Sequence, residues 1–226
     1  MAMQKWIVAN WKMNGSKNLL NEYKNAFKSI ENLIVCPPFI YLEESADLIF
    51  GAQNVNQLAK GACTGEISVQ MLVEREVKYC LVGHSERRQQ FHETNNIVRS
   101  KAEACLGANI TPIICIGETL EQYEANQTTE VLERQLAECS PSESGFWIAY
   151  EPVWAIGTGK TPTTDEISAV HFMLRKKLPN TTLLYGGSVN DDNAATIIAI
   201  PNVDGVLVGG ASLDVAAVAV ILKHAR

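Results

Sequence analysis

A short apolar run followed by a helical pattern recurs eight times along the 226 residues, and that alternation restricts the fold more than any other property of the chain. The runs are residues 5–10, 33–36, 51–55, 79–82, 112–116, 147–150, 183–185 and 205–208, all of strand length and nearly all closed by Pro, Gly or a polar residue. Between them, Leu20, Tyr23, Phe27 and Ile30 share one helix face. Residues 41–50 read as a short helix, 67–77 as a helical segment, and 95–107 as a helix with Val98, Ala102 and Cys105 inward; one further helix extends to about Cys139. Thr163 and Glu166 have capping-box spacing ahead of Ile167, Val170, Leu174 and Leu178, and helices over 192–199 and 215–222 complete the set. Such alternation predicts a parallel sheet. Eight units without a linker or composition break predict an α/β protein closed into one (β/α)8 barrel, a single domain over residues 1–226. An open doubly wound sheet would leave the eighth unit without a place.

In a barrel, the residues that follow the strands share one rim, and active sites occupy it. The stretch 146–162 is the most informative part of that rim. Its strand stops abruptly at Glu151, followed by Pro152, which leaves a carboxylate at the mouth. Val153, Trp154, Ala155 and Ile156 then make an apolar loop ahead of Gly157, Thr158, Gly159 and Lys160. Loops meet water and are normally polar, so this one reads as a flap over a base, Glu151.

Ser188 after Gly186 and Gly187, and Gly209 with Gly210 after the eighth strand, place bare backbone amides where barrels bind phosphate; Gly157 can add another. Lys12 stands two residues beyond Asn10 at the first strand's exit and supplies a cation to the mouth. His84 leaves the fourth strand just before Ser85, Glu86 and Arg87, a plausible helix start. Amides aimed at its ring would disfavour the imidazolium, so His84 is expected to stay neutral and donate to a carbonyl oxygen. A carboxylate base, a neutral donor and a cation around a phosphate site suit removal of a proton from carbon next to a carbonyl. That chemistry needs no metal and no cofactor.

Composition removes several classes. A net charge of −6 argues against a nucleic-acid surface and does not favour anionic membranes. The first residues lack a signal-peptide layout, and the longest apolar run, 215–222, is too short to span a bilayer, so a cytoplasmic protein is expected. Cysteines 36, 63, 80, 105, 115 and 139 form no CxxC pair, and reduced, mostly buried thiols are expected.

The segments ANWKMNGS, GAQN, GACTGE, VGHSERR, IICIGETLEQ, AYEPVWAIGTGKTPT, YGGSV and GVLVGGASL, spread over the whole chain, resemble triosephosphate isomerase. The resemblance implies a single-domain TIM barrel that interconverts dihydroxyacetone phosphate and D-glyceraldehyde 3-phosphate in glycolysis and gluconeogenesis. It implies Glu151 as the proton-shuttling base, His84 as the neutral electrophile, Lys12 as the electrostatic partner and Asn10 in the same pocket. Gly157, Ser188, Gly209 and Gly210 would hold the phosphate, with Glu86 and Cys115 in support. It also implies a homodimer through Gln53 and the loop from Gly61 to Glu66, with Thr64 reaching the neighbouring pocket near Lys12. The early helical units are shorter than the family pattern. A barrel acting on a larger phosphosugar, and one that only binds phosphate ligands, are the competing readings; the short apolar flap opposes the first and intact Glu151, His84 and Lys12 the second.

Overall fold

A computed structural model describes residues 4–156 and 161–225. Eight strands, β1 (Trp6–Asn10), β2 (Leu33–Cys36), β3 (Ile49–Ala52), β4 (Tyr79–Val82), β5 (Thr111–Ile116), β6 (Trp147–Tyr150), β7 (Leu183–Tyr185) and β8 (Gly205–Val208), pair in sequence order, all parallel. Closure comes from β1 against β8, with Ile7 opposite Val206 and Ala9 opposite Val208. The helices are α1 (Lys17–Ala26), α2 (Val69–Val73), α3 (Ser85–Gln90), α4 (Asn95–Gly107), α5 (Leu120–Glu124), α6 (Thr128–Cys139), α7 (Thr164–Lys177), α8 (Ala194–Ile198) and α9 (Val215–His224).

Side chains alternate across each strand, so one sequence feeds two cores. Val8, Ile34, Cys36, Leu81, Ile113, Cys115, Ala149, Leu184 and Leu207 fill the barrel interior. Their neighbours, among them Ile7, Val35, Phe50, Val82, Ile114, Ile148, Tyr185 and Val206, face outward against Val98, Leu132, Ile167 and Val218 on the helices. Each fully buried aliphatic side chain is worth about 1.5–3 kcal/mol, which makes both layers necessary to a sheet this short.

Side-chain caps set the helix starts. Ser16, Ser68, Thr94 and Asp214 each accept a first-turn amide, and Thr163 with Glu166 closes the capping box expected on α7.

Three helical segments differ from expectation. Residues 41–50 do not form a helix: a single 3-10 turn over Phe39–Tyr41 leads into an irregular strap, and β3 begins at Ile49 and ends at Ala52 rather than Val55. Only twelve residues separate Cys36 from Ile49, and they must run the length of the barrel and return to its start. A helix advances about 1.5 Å per residue against about 3.3 Å for extended chain, so the reach is met by uncoiling. Leu42 and Leu48 stay buried, and Ser45 Oγ accepts the amides of Asp47 and Leu48 in the turn. Within 67–77 only Val69–Val73 is helical. The helix expected to reach Cys139 is split into α5 and α6 at Asn126, whose φ of +57° is left-handed.

Candidate active site

The C-terminal ends of the strands surround a cavity of about 220 Å³ lined by Asn10, Lys12, His84, Glu151, Ser188, Gly209 and Gly210, together with Gly186 and Ile156. The structure thus brings together every sequence-predicted site residue that it describes; Gly157 lies outside the described residues. A larger cavity of about 320 Å³ lies elsewhere, beside Glu43, Asp47, Arg75 and Lys78, and none of the predicted site residues lines it. Size alone does not single out the mouth; its chemistry does.

Glu151 follows β6 directly, and its amide donates to Ile116 O at 2.7 Å. The approach is so close that a Cβ on Gly117 would sit 1.7 Å from Glu151 O, so the adjoining strand end tolerates only glycine there. The carboxylate is 1 % exposed. Its Oε2 accepts the Ser85 amide at 3.0 Å, and its Oε1 lies 3.2 Å from His84 Nε2 without a hydrogen-bond partner. A buried carboxylate with one bare oxygen is poised to accept a proton.

His84 caps α3, and its Nδ1 accepts the Glu86 amide at 3.2 Å. A ring nitrogen that accepts carries no proton, so the neutral imidazole holds its hydrogen on Nε2, the atom facing Glu151 and the cavity. Glu86 is also joined to the cation, because its Oε1 pairs with Lys12 Nζ at 2.5 Å. Cys115 sits beside Glu151; burial, reinforced by that carboxylate, holds its thiol well above the ordinary range.

Lys12 has a φ of +53°, a conformation costing roughly 1–2 kcal/mol in a residue with a side chain. Asn10 Oδ1 accepts the Lys12 amide at 3.0 Å and so contributes to holding that turn. Gly209 lies against the lysine stem, 3.3 Å from Lys12 Cε to where a Cβ would be. The Ser188 hydroxyl donates to Ala155 O at 2.6 Å, which ties the β7 exit to the apolar loop.

Sequence reasoning missed the residues that anchor this loop. Glu118, fully buried, accepts both Tyr150 Oη (3.1 Å) and Trp154 Nε1 (2.9 Å) on one oxygen. Burial raises its carboxyl pKa, against the lowering effect of those donors. The Trp154 ring packs 4.4 Å from Tyr123, whose hydroxyl donates to Glu166 at 2.5 Å, the residue that caps α7. The signal for Glu118 was its place at the exit of β5; Ser85 acts through a backbone amide, which no side chain advertises.

A closed parallel barrel with a buried carboxylate, a neutral imidazole and an ammonium group at its C-terminal mouth defines a (β/α)8 enzyme of acid–base type. Comparison with known proteins narrows the class. The family model for triosephosphate isomerase matches residues 5–225. The triosephosphate isomerase of Coxiella burnetii is 44 % identical over 234 aligned residues, covering 92 % of each chain, and that of Histophilus somni is 40 % identical over 250, covering 100 % of this chain and 98 % of its relative. The crystal structure of triosephosphate isomerase from Bartonella henselae superposes with a TM-score of 0.89 at 33 % identity, covering 98 % of this chain and 99 % of the other. The chain belongs to the triosephosphate isomerase family.

Proposed function

We propose that this enzyme interconverts dihydroxyacetone phosphate and D-glyceraldehyde 3-phosphate through an enediolate, using its own side chains alone. The observation that carries the reading is the pair formed by the bare Oε1 of buried Glu151 and the Nε2 of His84, whose other nitrogen is already occupied. The substrate phosphate lies against Ser188, Gly209 and Gly210, with Gly157 as a further amide donor. Glu151 takes the proton from the carbon next to the carbonyl. The C–H electron pair becomes the new C=C bond, and the carbonyl pair moves onto oxygen. His84 Nε2–H donates to that oxygen and the Lys12 ammonium opposes its charge, while Asn10 lines the same pocket. The proton of the neighbouring hydroxyl crosses to that first oxygen, with His84 Nε2 as relay. Protonated Glu151 then returns its proton to the neighbouring carbon, the C=C pair forming the new C–H bond while the electron pair of the released O–H closes the new carbonyl. A positioned base contributes about 10²–10⁴ in rate, and one preorganised donor about 3 kcal/mol. The apolar loop after Glu151 serves as the cover that keeps water from the enediolate.

The reaction belongs to glycolysis and gluconeogenesis, and we place the protein in the cytoplasm; no helix among the described residues is long and apolar enough to cross a membrane. The assembly is a homodimer through the loop from Gly61 to Glu66, with Thr64 reaching the partner's Lys12 region. Met71, 51 % exposed, lines a cavity together with Gly61, Cys63 and Glu66, which supports that loop as the contact surface. Sedimentation at micromolar protein is expected to give twice the chain mass. The decisive assay couples glyceraldehyde 3-phosphate isomerisation to a dehydrogenase. Glu151→Gln is expected to abolish turnover while a phosphorylated enediolate mimic still binds; near-wild-type turnover by that variant refutes the assignment.

A further inference from the structure

Periodicity along α1 gives Tyr23 a core position, and its ring packs edge-on against Trp11 and Phe27 with centroids 5.0 Å apart in each case. A fully buried tyrosine must also find a partner for its hydroxyl, and this one finds it 189 residues away: Tyr23 Oη donates to the carbonyl of Ser212. Ser212 is fully buried in the short 3-10 turn Gly210–Leu213 that follows β8. Its amide donates to Gly209 O at 2.8 Å and its hydroxyl to Asn10 O at 3.3 Å, so one residue fixes the turn on itself and registers it against the exit of β1. The two glycines that face the cavity lack such a hold. Among the described residues, a Cβ on Gly210 would meet nothing within 4 Å, and one on Gly209 would meet only the end of the Lys12 side chain. The orientation of their amides is therefore set from behind, at Ser212, and the donor behind Ser212 is Tyr23.

We infer that Tyr23 is a positioning residue for the substrate phosphate: through Ser212 it holds the Gly209–Gly210 turn where both amides meet the dianion. This rests on the isomerase reading above, in which that turn carries the phosphate. The hydroxyl touches neither substrate nor reacting atoms; it acts by denying the turn an alternative. With a phenyl ring in its place the buried Ser212 carbonyl loses its donor, and the turn recovers a partner only by moving toward water. Amide donors are directional, so a small rotation of the two glycines weakens the grip on phosphate. Glu151 and His84, which follow β6 and β4, stay where they are.

The test is Tyr23→Phe in the full chain, which removes the hydroxyl and keeps the ring packing. Its kcat/KM for glyceraldehyde 3-phosphate is expected to fall about 10-fold, the scale of one buried hydrogen bond left unmade. Unphosphorylated D-glyceraldehyde, followed by proton exchange in deuterium oxide, is expected to react within about twofold of wild type, because it never used the phosphate turn. Titration calorimetry with 2-phosphoglycolate is expected to show the loss directly as weaker binding. A hydroxyl that serves core stability alone would lower the melting temperature without discriminating between the substrates, so an unchanged ratio of the two kcat/KM values overturns the inference. Should Tyr23→Phe fail to fold, Ser212→Ala, which cuts the tie of the same turn to Asn10, is expected to show the same selective loss; an unchanged ratio there is equally fatal. If the wild-type protein does not isomerise glyceraldehyde 3-phosphate, the reaction falls, and inorganic phosphate decides the positioning role by itself. Affinity about 10-fold weaker in Tyr23→Phe sustains that role, and equal affinity ends it.

Discussion

At the N-terminal end of the barrel, Trp6, Tyr79 and Trp147, the first residues of β1, β4 and β6, pack on one another with ring centroids 4.9–6.0 Å apart and close the floor. Around them Arg175 donates to three carbonyls and pairs with Asp204, and Lys5 donates to Val203 O. The C-terminal end is built differently. Glu151 and Glu118 each keep one buried carboxylate oxygen without a partner, and Lys12 sits in a left-handed turn. Aromatic contact and the Arg175 hydrogen bonds stabilise the floor, whereas the mouth exposes to its cavity a buried Glu151 oxygen without a hydrogen-bond partner and a left-handed lysine.

That contrast breaks most visibly at His84. His84→Gln is expected to lower kcat about 10²–10³-fold with an unfolding midpoint close to wild type, measured by coupled assay and thermal melting. A smaller effect, on stability alone, comes from the floor side. His171 is fully buried, its Nδ1 facing Asn202 O at 3.1 Å, and burial pushes its imidazole down to about 4, partly opposed by that carbonyl. The unfolded chain therefore binds the proton first. Its contribution is complete above about pH 6.5 and falls away as pH drops through 4, by about 3 kcal/mol in all; denaturant titrations across that window should show the slope, and His171→Gln should remove it. Next in size, Trp147→Ala is expected to cost about 2 kcal/mol, discounted for the partial exposure of the ring, while kcat stays within about twofold. The smallest effect sharpens the meaning of strain. His92 is also left-handed, φ +56°, but exposed, so His92→Gly should stabilise by about 0.5–1 kcal/mol without harming turnover, as the same relief at Lys12 could not.

Much of the mouth was legible because punctuation marks it. Glu151 before Pro152, Gly186–Gly187 before Ser188, and Gly209–Gly210 are local breaks in apolar runs, and all of these residues but Pro152 line the cavity. Glu118 occupies an equivalent strand exit and is as deeply buried, yet it turns to Tyr150 and Trp154 instead of the cavity. Pro152 after Glu151 is the local difference between the two carboxylates, but which of them turns to the cavity is set by partners brought from β6 and the loop beyond it. The missing helix between β2 and β3 escaped notice for a related reason, since apolar spacing over 41–50 fits a helix while the distance to be crossed does not.

The alternation of strands and helices outside residues 41–50, the capping box at Thr163, and the residue types available at the rim follow from the sequence alone, because each depends on neighbours three or four positions away. The residue pairs through which β1 meets β8, the meeting of Glu151 with an amide 66 residues earlier, and the left-handed lysine held by Gln53 just after β3 were decided only by the folded structure. Each is a contact between segments that share no local pattern, and it acquires its direction only when the barrel shuts and the strand ends are forced into one ring.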